Sequence, residues 1–362
     1  MGKGNILKQF ISHDLLDDFK ETISISSLKD HGVKTVALDA SNNMHRMGPS
    51  NLCGGFIDLY KIFNKNGCML ISVFDGRPPK EKKAILDERK QRRNKNKTLV
   101  KKYEEDLSNL KTQLSLQSTT ISAKTEIKTQ MTEVTYNIKK YHKRTFSIKK
   151  DHIKLLKNLF TYLKIPFIHM ENYEADLVCS RLVSMNHADA CLSDDYDLIS
   201  YNCKCILRNL DIKNGTVDII KLDEIYSKIN LKYEELIYLI IMNGTDYSKK
   251  VRDINFTYIY SLLIQGYDMI EILLLINNPT YNYQIAYDLF TQQIEINPDI
   301  DIINYRYINL IYRNINTDKT LFISQVNKYI SDTKDKVDIK NVNKKLNEYI
   351  SLFSYVNPYL YL

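Results

Sequence analysis

The chain has 362 residues, and its 51 Lys and Arg exceed its 43 Asp and Glu to give a formal net charge of +8. This length allows one large domain or two ordinary domains with a full hydrophobic core. Six Cys without a Cys-x-x-Cys pair, and no apolar run long enough to span a bilayer, exclude a disulfide scaffold, a typical zinc module and an integral membrane protein.

The first part of the chain alternates helical and strand patterns. The predicted elements are an amphipathic helical segment over residues 1–32, a strand over 33–38, a helical segment to residue 63 and a strand over 69–74. Each strand ends at an acid, Asp39 or Asp75, and Gly76-Arg77-Pro78-Pro79 turns the chain after the second strand.

A basic insertion follows this turn. From Arg77 to Lys102 there are twelve Lys or Arg and three acids, and residues 80–114 have a helix-favouring composition. Residues 108–137 are rich in Ser, Thr and Gln, which predicts weak packing or mobility, and residues 139–157 are basic again. We therefore predict that residues 80–147 are inserted between two strands of one core.

The second half returns to strands and then becomes helical. The predicted elements are strands over 165–169, 190–192, 203–208 and 216–220, a helix from 171 to 185, a turn at Asn214-Gly215, and helices after 222. Strands that alternate with helices predict an α/β fold with a mostly parallel central sheet. The predicted domains are residues 1–225, which include the insertion, and residues 226–362.

Seven acids are placed where they could share one site. Asp39, Asp75 and the Asp195/Asp197 pair follow buried strands, and the carboxyl ends of parallel strands meet at one sheet edge. If the chain stays extended, Asp195 and Asp197 share a face. The other three acids lie at the irregular start of a helix and in a Gly-containing turn: Glu174, Asp176 and Asp246.

Each acid also has a simpler interpretation. Asp39 could cap the next helix, Glu174 could interact with a helix dipole, and Asp246 could be a turn residue. Seven acids in such positions, in a chain with a basic insertion, instead favour a site for two Mg²⁺ ions, with Mn²⁺ as a substitute. Two such ions, roughly 4 Å apart, can activate water and stabilise the leaving oxygen of a phosphodiester.

Five segments resemble motifs of the structure-specific 5′ nucleases of the flap endonuclease/XPG type. They are Leu38-Asp-Ala-Ser41, Val73-Phe-Asp-Gly-Arg-Pro-Pro79, Tyr173-Glu-Ala-Asp-Leu-Val-Cys179, Ser193-Asp-Asp-Tyr-Asp-Leu198 and Gly244-Thr-Asp-Tyr247. The resemblance covers Met1-Gly2 and roughly residues 33–250. It implies a PIN-like nuclease core with a helical arch and, towards the C-terminus, a helix-hairpin (H2TH-like) element that binds DNA.

The resemblance also implies roles for the acids. Asp39, Asp75, Glu174 and Asp176 are expected to hold the first ion, and Asp195, Asp197 and Asp246 the second. Asp195 is additionally expected to be essential for catalysis. Asp194 falls where the family has a further acid that is not a ligand.

Basic residues are matched to the family in the same way. Lys82 and Arg89 fall at the positions of its catalytic Lys and Arg, and their spacing predicts one helical face. Gly2 is expected to approach the nucleic acid closely, and His45 stands where the family stacks a Tyr on a base. Further expected DNA contacts are Arg77, Lys83, Arg92, Arg93, Lys143 and Arg144.

Two departures from the family pattern concern partners. The Gly-rich hairpin is replaced by Asp253-Ile-Asn-Phe-Thr257, which lacks the glycines that let backbone N–H groups approach phosphate. Residues 346–353 lack the leading Gln of a sliding-clamp peptide, so the sequence does not predict a clamp partner.

The sequence thus predicts a Mg²⁺-dependent 5′ flap endonuclease or 5′–3′ exonuclease of branched DNA, in replication, repair or recombination. We expect it in the nucleus or in a cytoplasmic viral replication compartment, without membrane association. Two alternatives stay open at this stage: a catalytically inactive nucleic-acid-binding scaffold, and an RNA-cleaving enzyme on the same core.

Overall fold

A computed structural model describes residues 19–115, 121–251, 255–303, 319–333 and 337–354. By its internal packing the chain divides into two compact units. The first unit comprises residues 1–81 and 150–362, and the second is Lys82–Lys149. The second unit matches the predicted insertion within two residues at each end.

An eight-stranded mixed sheet forms the centre of the first unit. Its strands are β1 (Glu21–Ser24), β2 (Thr35–Asp39), β3 (Met69–Val73), β4 (Phe167–Ile168), β5 (Ala190–Leu192), β6 (Cys205–Asp211), β7 (Thr216–Lys221) and β8 (Ile302–Ile303). Their order is β1-β7-β6-β5-β2-β3-β4-β8. The five central strands, from β6 to β4, are parallel, and β7, β1 and β8 are antiparallel additions at the edges.

Helices surround this sheet and make up the second unit. The helices of the first unit are α1 (Ala40–Met47), α2 (Leu52–Lys65), α5 (Lys150–Tyr162), α6 (Ala175–Ser184), α7 (Asp197–Ser200), α8 (Leu222–Ile229), α9 (Tyr233–Met242), α10 (Phe256–Ile264), α11 (Met269–Leu275), α12 (Gln284–Thr291), α13 (Pro298–Asp301), α14 (Lys319–Thr333) and α15 (Ile339–Ser354). The second unit has α3 (Lys83–Ser115) and α4 (Ile121–Thr145). Short 3₁₀ turns occur at Ile25–Ser27, Pro49–Asn51 and Lys80–Lys82.

The central strands are apolar on both faces because helices cover both. Val36, Ala37 and Leu38 of β2 are all completely buried. On one side of the sheet, Phe160 of α5 packs against Phe74 at the end of β3, with ring centroids 5.7 Å apart. Phe160 also contacts Phe56 of α2 at 5.6 Å. This aromatic cluster fixes the end of β3, which is followed by Asp75 of the Phe-Asp-Gly motif.

The α/β prediction is confirmed, but the predicted helix over residues 1–32 is wrong for the described part. Residues 21–24 form β1, which pairs antiparallel with β7. Ile23 and Ile25 are buried while Ser24 between them is exposed, which is the alternation of a strand. Edge pairing with β7 therefore overrides the local helical pattern; residues 1–18 lie outside the described residues.

The second unit is helical and packs weakly, which is one of the two alternatives that its composition predicted. Residues 108–115 continue α3, and α4 covers residues 121–145. Tyr103 of α3 stacks on Tyr141 of α4 at 5.7 Å, with an angle of 21° between the rings. Of the described α3 side chains only Val100 is buried. Two polar helices thus support each other by pairing.

The residues after 225 share a hydrophobic core with the sheet. Ile237 of α9, Leu273 of α11 and Phe290 of α12 belong to one buried cluster with Val178 of α6 and Ile206 of β6. The division by packing therefore does not separate residues 226–362, as the predicted domain boundary would. Among the residues that the structure describes, no helix combines the length and the apolar character needed to cross a bilayer.

Candidate active site

The candidate site lies where the direction of the chain through the sheet reverses. From β2 the chain proceeds to β3 and β4, and it then returns to β5 on the other side of β2. Ligands of α/β proteins bind at the carboxyl ends of strands beside such a switch point. Asp39 ends β2, and Ser193 follows β5 and donates its hydroxyl hydrogen to Asp39 Oδ2 at 2.9 Å. This bond joins the two sides of the switch point.

Asp39 combines the two roles that the sequence left open. Its Oδ1 accepts the Asn42 N–H at 2.9 Å and so caps α1. Its side chain is nevertheless buried beside other carboxylates. Burial, and then the charge of Asp75, raise the pKa of Asp39 to about 7, against the lowering effect of the bonds from Asn42 and Ser193. A cap alone would lower this pKa, so the raised value reflects burial and crowding of carboxylates.

Asp75 holds the start of α6 in place. Its Oδ1 accepts the Ala175 N–H at 2.8 Å. Glu174 is the N-cap residue, with an extended backbone at φ −75° and ψ 151°, and Asp176 lies in the first helical turn. Because Glu174 is outside the regular helix, it need not point away from Asp176, in agreement with the irregular start that the sequence predicted.

Gly76 is required by a close backbone approach. Its N–H donates to the Tyr173 carbonyl at 2.8 Å. A Cβ at this position would lie 2.3 Å from the Met170 carbonyl oxygen and 2.6 Å from that of Glu171. Since these are main-chain atoms, no side chain can move aside. The Gly of the Phe-Asp-Gly motif thus lets the turn after β3 pack on the loop before α6.

The pKa of Asp176 gives the clearest evidence that the acids lie close together. Burial raises its pKa well above the ordinary value, followed by the charges of Asp195, Asp39, Asp75 and Asp197 in decreasing order. Its Oδ1 is buried and accepts no hydrogen bond from any described residue. The structure therefore brings five carboxylates, from four segments of the chain, within strong electrostatic reach of one another.

Asp195 and Asp197 are not arranged as an extended strand. The Asp195 N–H donates to Ser193 Oγ at 3.2 Å, and the Asp197 N–H donates to Asp195 Oδ1 at 3.0 Å. Tyr196 has a helical backbone, and Asp197 starts α7. The prediction that both acids share a strand face is wrong, because these local side-chain bonds turn the chain instead. The acids reach the site from a turn.

Asp194 is held away from this cluster by its own partners. Its Oδ1 accepts the Asn209 N–H at 2.9 Å, and its Oδ2 lies 3.3 Å from Arg46 Nη2. Arg208 Nη2 donates to its carbonyl at 2.7 Å. These contacts give Asp194 a structural role, consistent with the non-ligand position implied by the resemblance.

Glu174 and the Gly244-Thr-Asp-Tyr loop are joined by a tyrosine. The Tyr247 hydroxyl donates to Glu174 Oε2, and the Tyr201 hydroxyl lies 3.2 Å from that of Tyr247. Asp246, the neighbour of Tyr247, is buried. Gly244 has φ +94°, a left-handed conformation that favours glycine, and a Cβ there would lie 2.9 Å from the Lys250 nitrogen. The loop is thus fixed beside Glu174.

Sequence reasoning missed a histidine behind Asp75. His169 Nε2 lies 3.0 Å from the Asp75 carbonyl oxygen, and its Nδ1 lies 2.6 Å from Lys157 Nζ. Burial lowers the pKa of Lys157, while burial and then the charge of Lys157 lower the pKa of His169. A neutral imidazole accepts from the ammonium at Nδ1 and donates from Nε2. No motif marks His169, so only the fold could reveal this contact.

The expected DNA-contacting residues of the first unit lie at its surface. Arg77 follows β3, and His45 is in the last turn of α1; both are exposed. Gly2 lies outside the described residues, and so does part of the altered hairpin, since residues 252–254 are not described.

In the second unit, Lys82 ends a 3₁₀ turn that leads directly into α3 at Lys83, and Arg89 lies within α3. Lys82 is buried whereas Arg89 is exposed, and their common helical face stays a prediction. Arg92 pairs with Glu88 at 2.8 Å. Arg144 lies over the ring of Tyr141 at 5.7 Å. Most of the remaining cations are exposed, including Lys83, Arg89 and Lys143, whereas Arg93 is half-buried.

The donor set of the cluster fits Mg²⁺ in chemistry. In the part of the chain that the structure describes, no three His, Cys, Asp or Glu side chains are already arranged around a common metal position. The cluster is nevertheless built of carboxylate oxygens, the ligands that Mg²⁺ prefers, and Asp176 Oδ1 is a buried acceptor without a donor. The raised pKa of Asp39 and Asp176 indicates a strongly negative site that a divalent cation would relieve.

Comparison with known proteins agrees with this geometry. Residues 164–246 match the XPG I-region family model. Flap endonuclease 1-B of Xenopus laevis is 24% identical over 257 residues, which cover 64% of this chain and 60% of that protein. Flap endonuclease 1 of Methanococcus aeolicus is 27% identical over 246 residues, which cover 63% of this chain and 66% of that protein. The match therefore spans less than two thirds of either relative.

Solved structures share the fold over nearly the whole chain. Flap endonuclease-1 from Methanococcus jannaschii superposes with a TM-score of 0.58 at 19% identity, covering 92% of this chain and 96% of that one. The catalytic core of Rad2, solved in complex with DNA substrate, gives a TM-score of 0.56 at 16% identity, covering 93% and 98%. Together with the matched XPG I-region, these likenesses confirm the predicted resemblance of the chain to the XPG-type 5′ nucleases.

Proposed function

We propose that this protein is a Mg²⁺-dependent nuclease that hydrolyses phosphodiesters of branched DNA near a 5′ single strand. The observation that supports this most is the convergence of Asp39, Asp75, Asp176, Asp195 and Asp197 at the switch point of the sheet. Burial, together with the charges of the neighbouring carboxylates, raises the pKa of Asp39 and of Asp176, and such crowding is unfavourable for a purely structural site. A site that attracts divalent cations accounts for them.

Each acid has a proposed place in the site. Asp39, Asp75, Glu174 and Asp176 would hold a first ion, and the second would be held by Asp195, Asp197 and Asp246. When bound, two Mg²⁺ ions supply the positive charge that activates a water and stabilises the leaving oxygen. Mn²⁺, which also takes oxygen ligands, would substitute.

The surrounding residues position these acids. Ser193 holds Asp39 across the switch point, and its hydroxyl oxygen also accepts the Asp195 N–H, so one side chain sets the spacing of two acids. Tyr247 orients Glu174, and His169 fixes the backbone of Asp75. Such supporting bonds hold ligands in a productive geometry before the substrate arrives.

The cations of the second unit are proposed to bind the substrate backbone. Lys82 and Arg89 would contact the scissile phosphate, Lys as a mobile point charge and Arg as a two-pronged donor. Exposed cations of α3 and α4 would contact neighbouring phosphates, which makes binding strongly salt-dependent. A DNA substrate also favours the nucleus or a viral replication compartment as the place of action.

The decisive experiment compares 5′-labelled flap DNA with a matched RNA, in Mg²⁺ and in EDTA. We expect cleavage of the DNA in Mg²⁺ only. Asp195→Ala should lower the rate by about 100-fold or more while flap binding is retained. Asp223→Ala, which removes an exposed acid at the start of α8, is the matched control and should cleave normally.

Three results would contradict the proposal in different ways. Binding without any cleavage would indicate an inactive scaffold, and preferred cleavage of RNA would indicate a different substrate. Unaltered turnover by Asp195→Ala would refute the assignment of the metal site itself.

A further inference from the structure

The stretch between Asp253 and Tyr305 has an unusual charge distribution. It contains no Lys, Arg or His, although the whole chain has 51 Lys and Arg. It contains seven acids: Asp253, Asp268, Glu271, Asp288, Glu295, Asp299 and Asp301. A surface of this composition repels the phosphate backbone of a nucleic acid. This part of the helical C-terminal region is therefore poorly suited to the DNA-binding role that the sequence predicted for residues 226–362.

The same stretch exposes most of the large apolar side chains at the described surface. Of twelve such exposed side chains among the described residues, nine fall within residues 255–303. The clearest case is α11, where Ile270 and Leu274 are 60% and 62% exposed. They are four residues apart and therefore lie on the same side of the helix. Exposed apolar residues concentrated in this way mark an interaction site.

The exposure of Ile270 and Leu274 is not caused by poor packing of α11. Met269, Ile272 and Leu273 are buried on the opposite side and anchor the helix to the core. Asp268 and Glu271 cap each other's backbone at the start of the helix, with N–H to carboxylate distances of 2.9 and 2.8 Å. The helix is thus rigidly held, and two carboxylates border its outward apolar residues. We call Asp268, Ile270, Glu271 and Leu274 the α11 face.

Two other helices of this stretch also expose apolar side chains. Tyr258 and Ile264 of α10 and Ile285 of α12 are also more than 40% exposed. Glu234 of α9 and Asp268 both act on the Tyr238 hydroxyl and raise its pKa, after the larger effects of burial and two neighbouring tyrosines. Acids from α9 and from the start of α11 therefore both act electrostatically on Tyr238.

We propose that the α11 face docks a protein partner through a segment that is apolar at its centre and basic at its rim. Ile270 and Leu274 would be buried in the contact and supply affinity, while Asp268 and Glu271 would attract and select the basic rim. Charge complementarity decides the class of partner. The acids repel both nucleic acid and anionic lipid, and a second acidic surface would be rejected in the same way.

Peptide display tests this docking site directly. Random 16-residue peptides are selected on the 362-residue protein, and the enriched peptides are then tested on the double variant Ile270→Ser/Leu274→Ser. We expect the enriched peptides to combine several Lys or Arg with Leu, Ile or Phe. A synthetic representative should bind the double variant about 30-fold more weakly than the unchanged protein, and rising salt should weaken its binding.

Two further variants keep the test independent of folding defects. Ile300→Ser removes an exposed apolar side chain from α13 and should bind the peptide normally. Glu271→Gln keeps an oxygen that can accept the Asp268 N–H, yet it should weaken binding and flatten the salt dependence. Thermal midpoints of all variants establish that the fold is intact, and if the double variant is unfolded, Glu271→Gln decides alone.

The proposal is overturned if no peptide is enriched, if the enriched peptides are not basic, or if they bind the double variant equally well. It is also overturned if Glu271→Gln leaves both the affinity and its salt dependence unchanged. Sedimentation of the full-length protein gives the last outcome: self-association that the double variant abolishes would assign the α11 face to a second copy of the chain instead.

Discussion

Replacing Asp39 by Asn should stabilise the metal-free protein while abolishing its cleavage activity. The folded-state pKa of Asp39 is about 7, against an ordinary value of 3.8. The folded protein therefore binds this proton more tightly than the unfolded chain, so the carboxyl costs stability progressively as pH rises from 3.8 and fully above pH 7. An interval of about 3 pKa units corresponds to about 4 kcal/mol, which is an upper limit because the site can relax.

The substitution removes the charge but keeps most of the bonds. An Asn oxygen can still accept the Asn42 N–H and cap α1, and the Ser193 hydroxyl can reverse its role to accept from the new amide. We therefore expect the variant to recover about 1–3 kcal/mol at pH 8, which raises its thermal midpoint by roughly 1–4 °C. At pH 5 the gain should be clearly smaller, because the folded-state carboxyl of Asp39 is then protonated and carries no charge.

The assay is thermal unfolding in EDTA at pH 5, 6, 7 and 8, repeated with Mg²⁺. Mg²⁺ should raise the thermal midpoint of the unchanged protein more than that of the Asn variant, because bound cations would relieve the same repulsion. Asp223→Asn, an exposed acid outside the cluster, provides the matched control. A variant that is no more stable at pH 8 than the unchanged protein, or whose advantage does not grow with pH, would refute the reasoning about the crowded carboxylates.

The remaining predictions concern residues that position the cluster. Gly76→Ala places a Cβ 2.3 Å from the Met170 carbonyl oxygen and should destabilise the protein by about 2–4 kcal/mol, as measured by denaturant unfolding. Tyr247→Phe removes the hydrogen bond to Glu174 and should raise the Mg²⁺ concentration for half-maximal cleavage about 10-fold. His169→Leu removes the donor to the Asp75 backbone and should slow single-turnover cleavage about 10-fold with flap affinity unchanged.

Each of these three predictions has a control variant of the same residue type or on the same helix. Gly32→Ala meets no atom within 4 Å but has φ +79°, so it should cost only the modest strain of a left-handed Ala. Tyr258→Phe alters an exposed tyrosine and should leave the Mg²⁺ requirement unchanged. Lys154→Met on α5 should leave cleavage intact, whereas Lys157→Met should mimic His169→Leu. If Lys157→Met cleaves as fast as Lys154→Met, the proposed support of Asp75 is wrong.

The central sheet and the convergence of acids could be predicted because both have local signals. Short apolar runs end at Asp39 and Asp75, and a buried run precedes Asp195, so strand ends and acids appear together in the sequence. The role of these acids as metal ligands remains a prediction. The expected helix before residue 33 failed because pairing of β1 with β7, which is distant in sequence, decides that segment.

The supporting residues could not be predicted, because their contacts join distant parts of the chain. Tyr201 and Tyr247 are 46 positions apart, and His169 contacts a backbone 94 positions away. Ser and Tyr occur so widely that neither type signals a site by itself. The extended backbone considered for residues 195–197 is not found, for another reason. The side chains of Ser193 and Asp195 accept hydrogen bonds from nearby N–H groups and so stabilise a turn instead.

The position of the site across the chain reversal affects how the protein matures during synthesis. Asp39 and Ser193, which meet in the finished sheet, are 154 positions apart in the chain. A nascent polypeptide must therefore emerge beyond β5 before the central strands can close, and closing so long a loop makes this a late, slow folding step. Prematurely terminated products that end before β5 lack Asp195 and Asp197, two of the five crowded carboxylates. If the proposed function is correct, such fragments cannot cleave nucleic acid, because the complete set of acids forms only after the chain has passed β5.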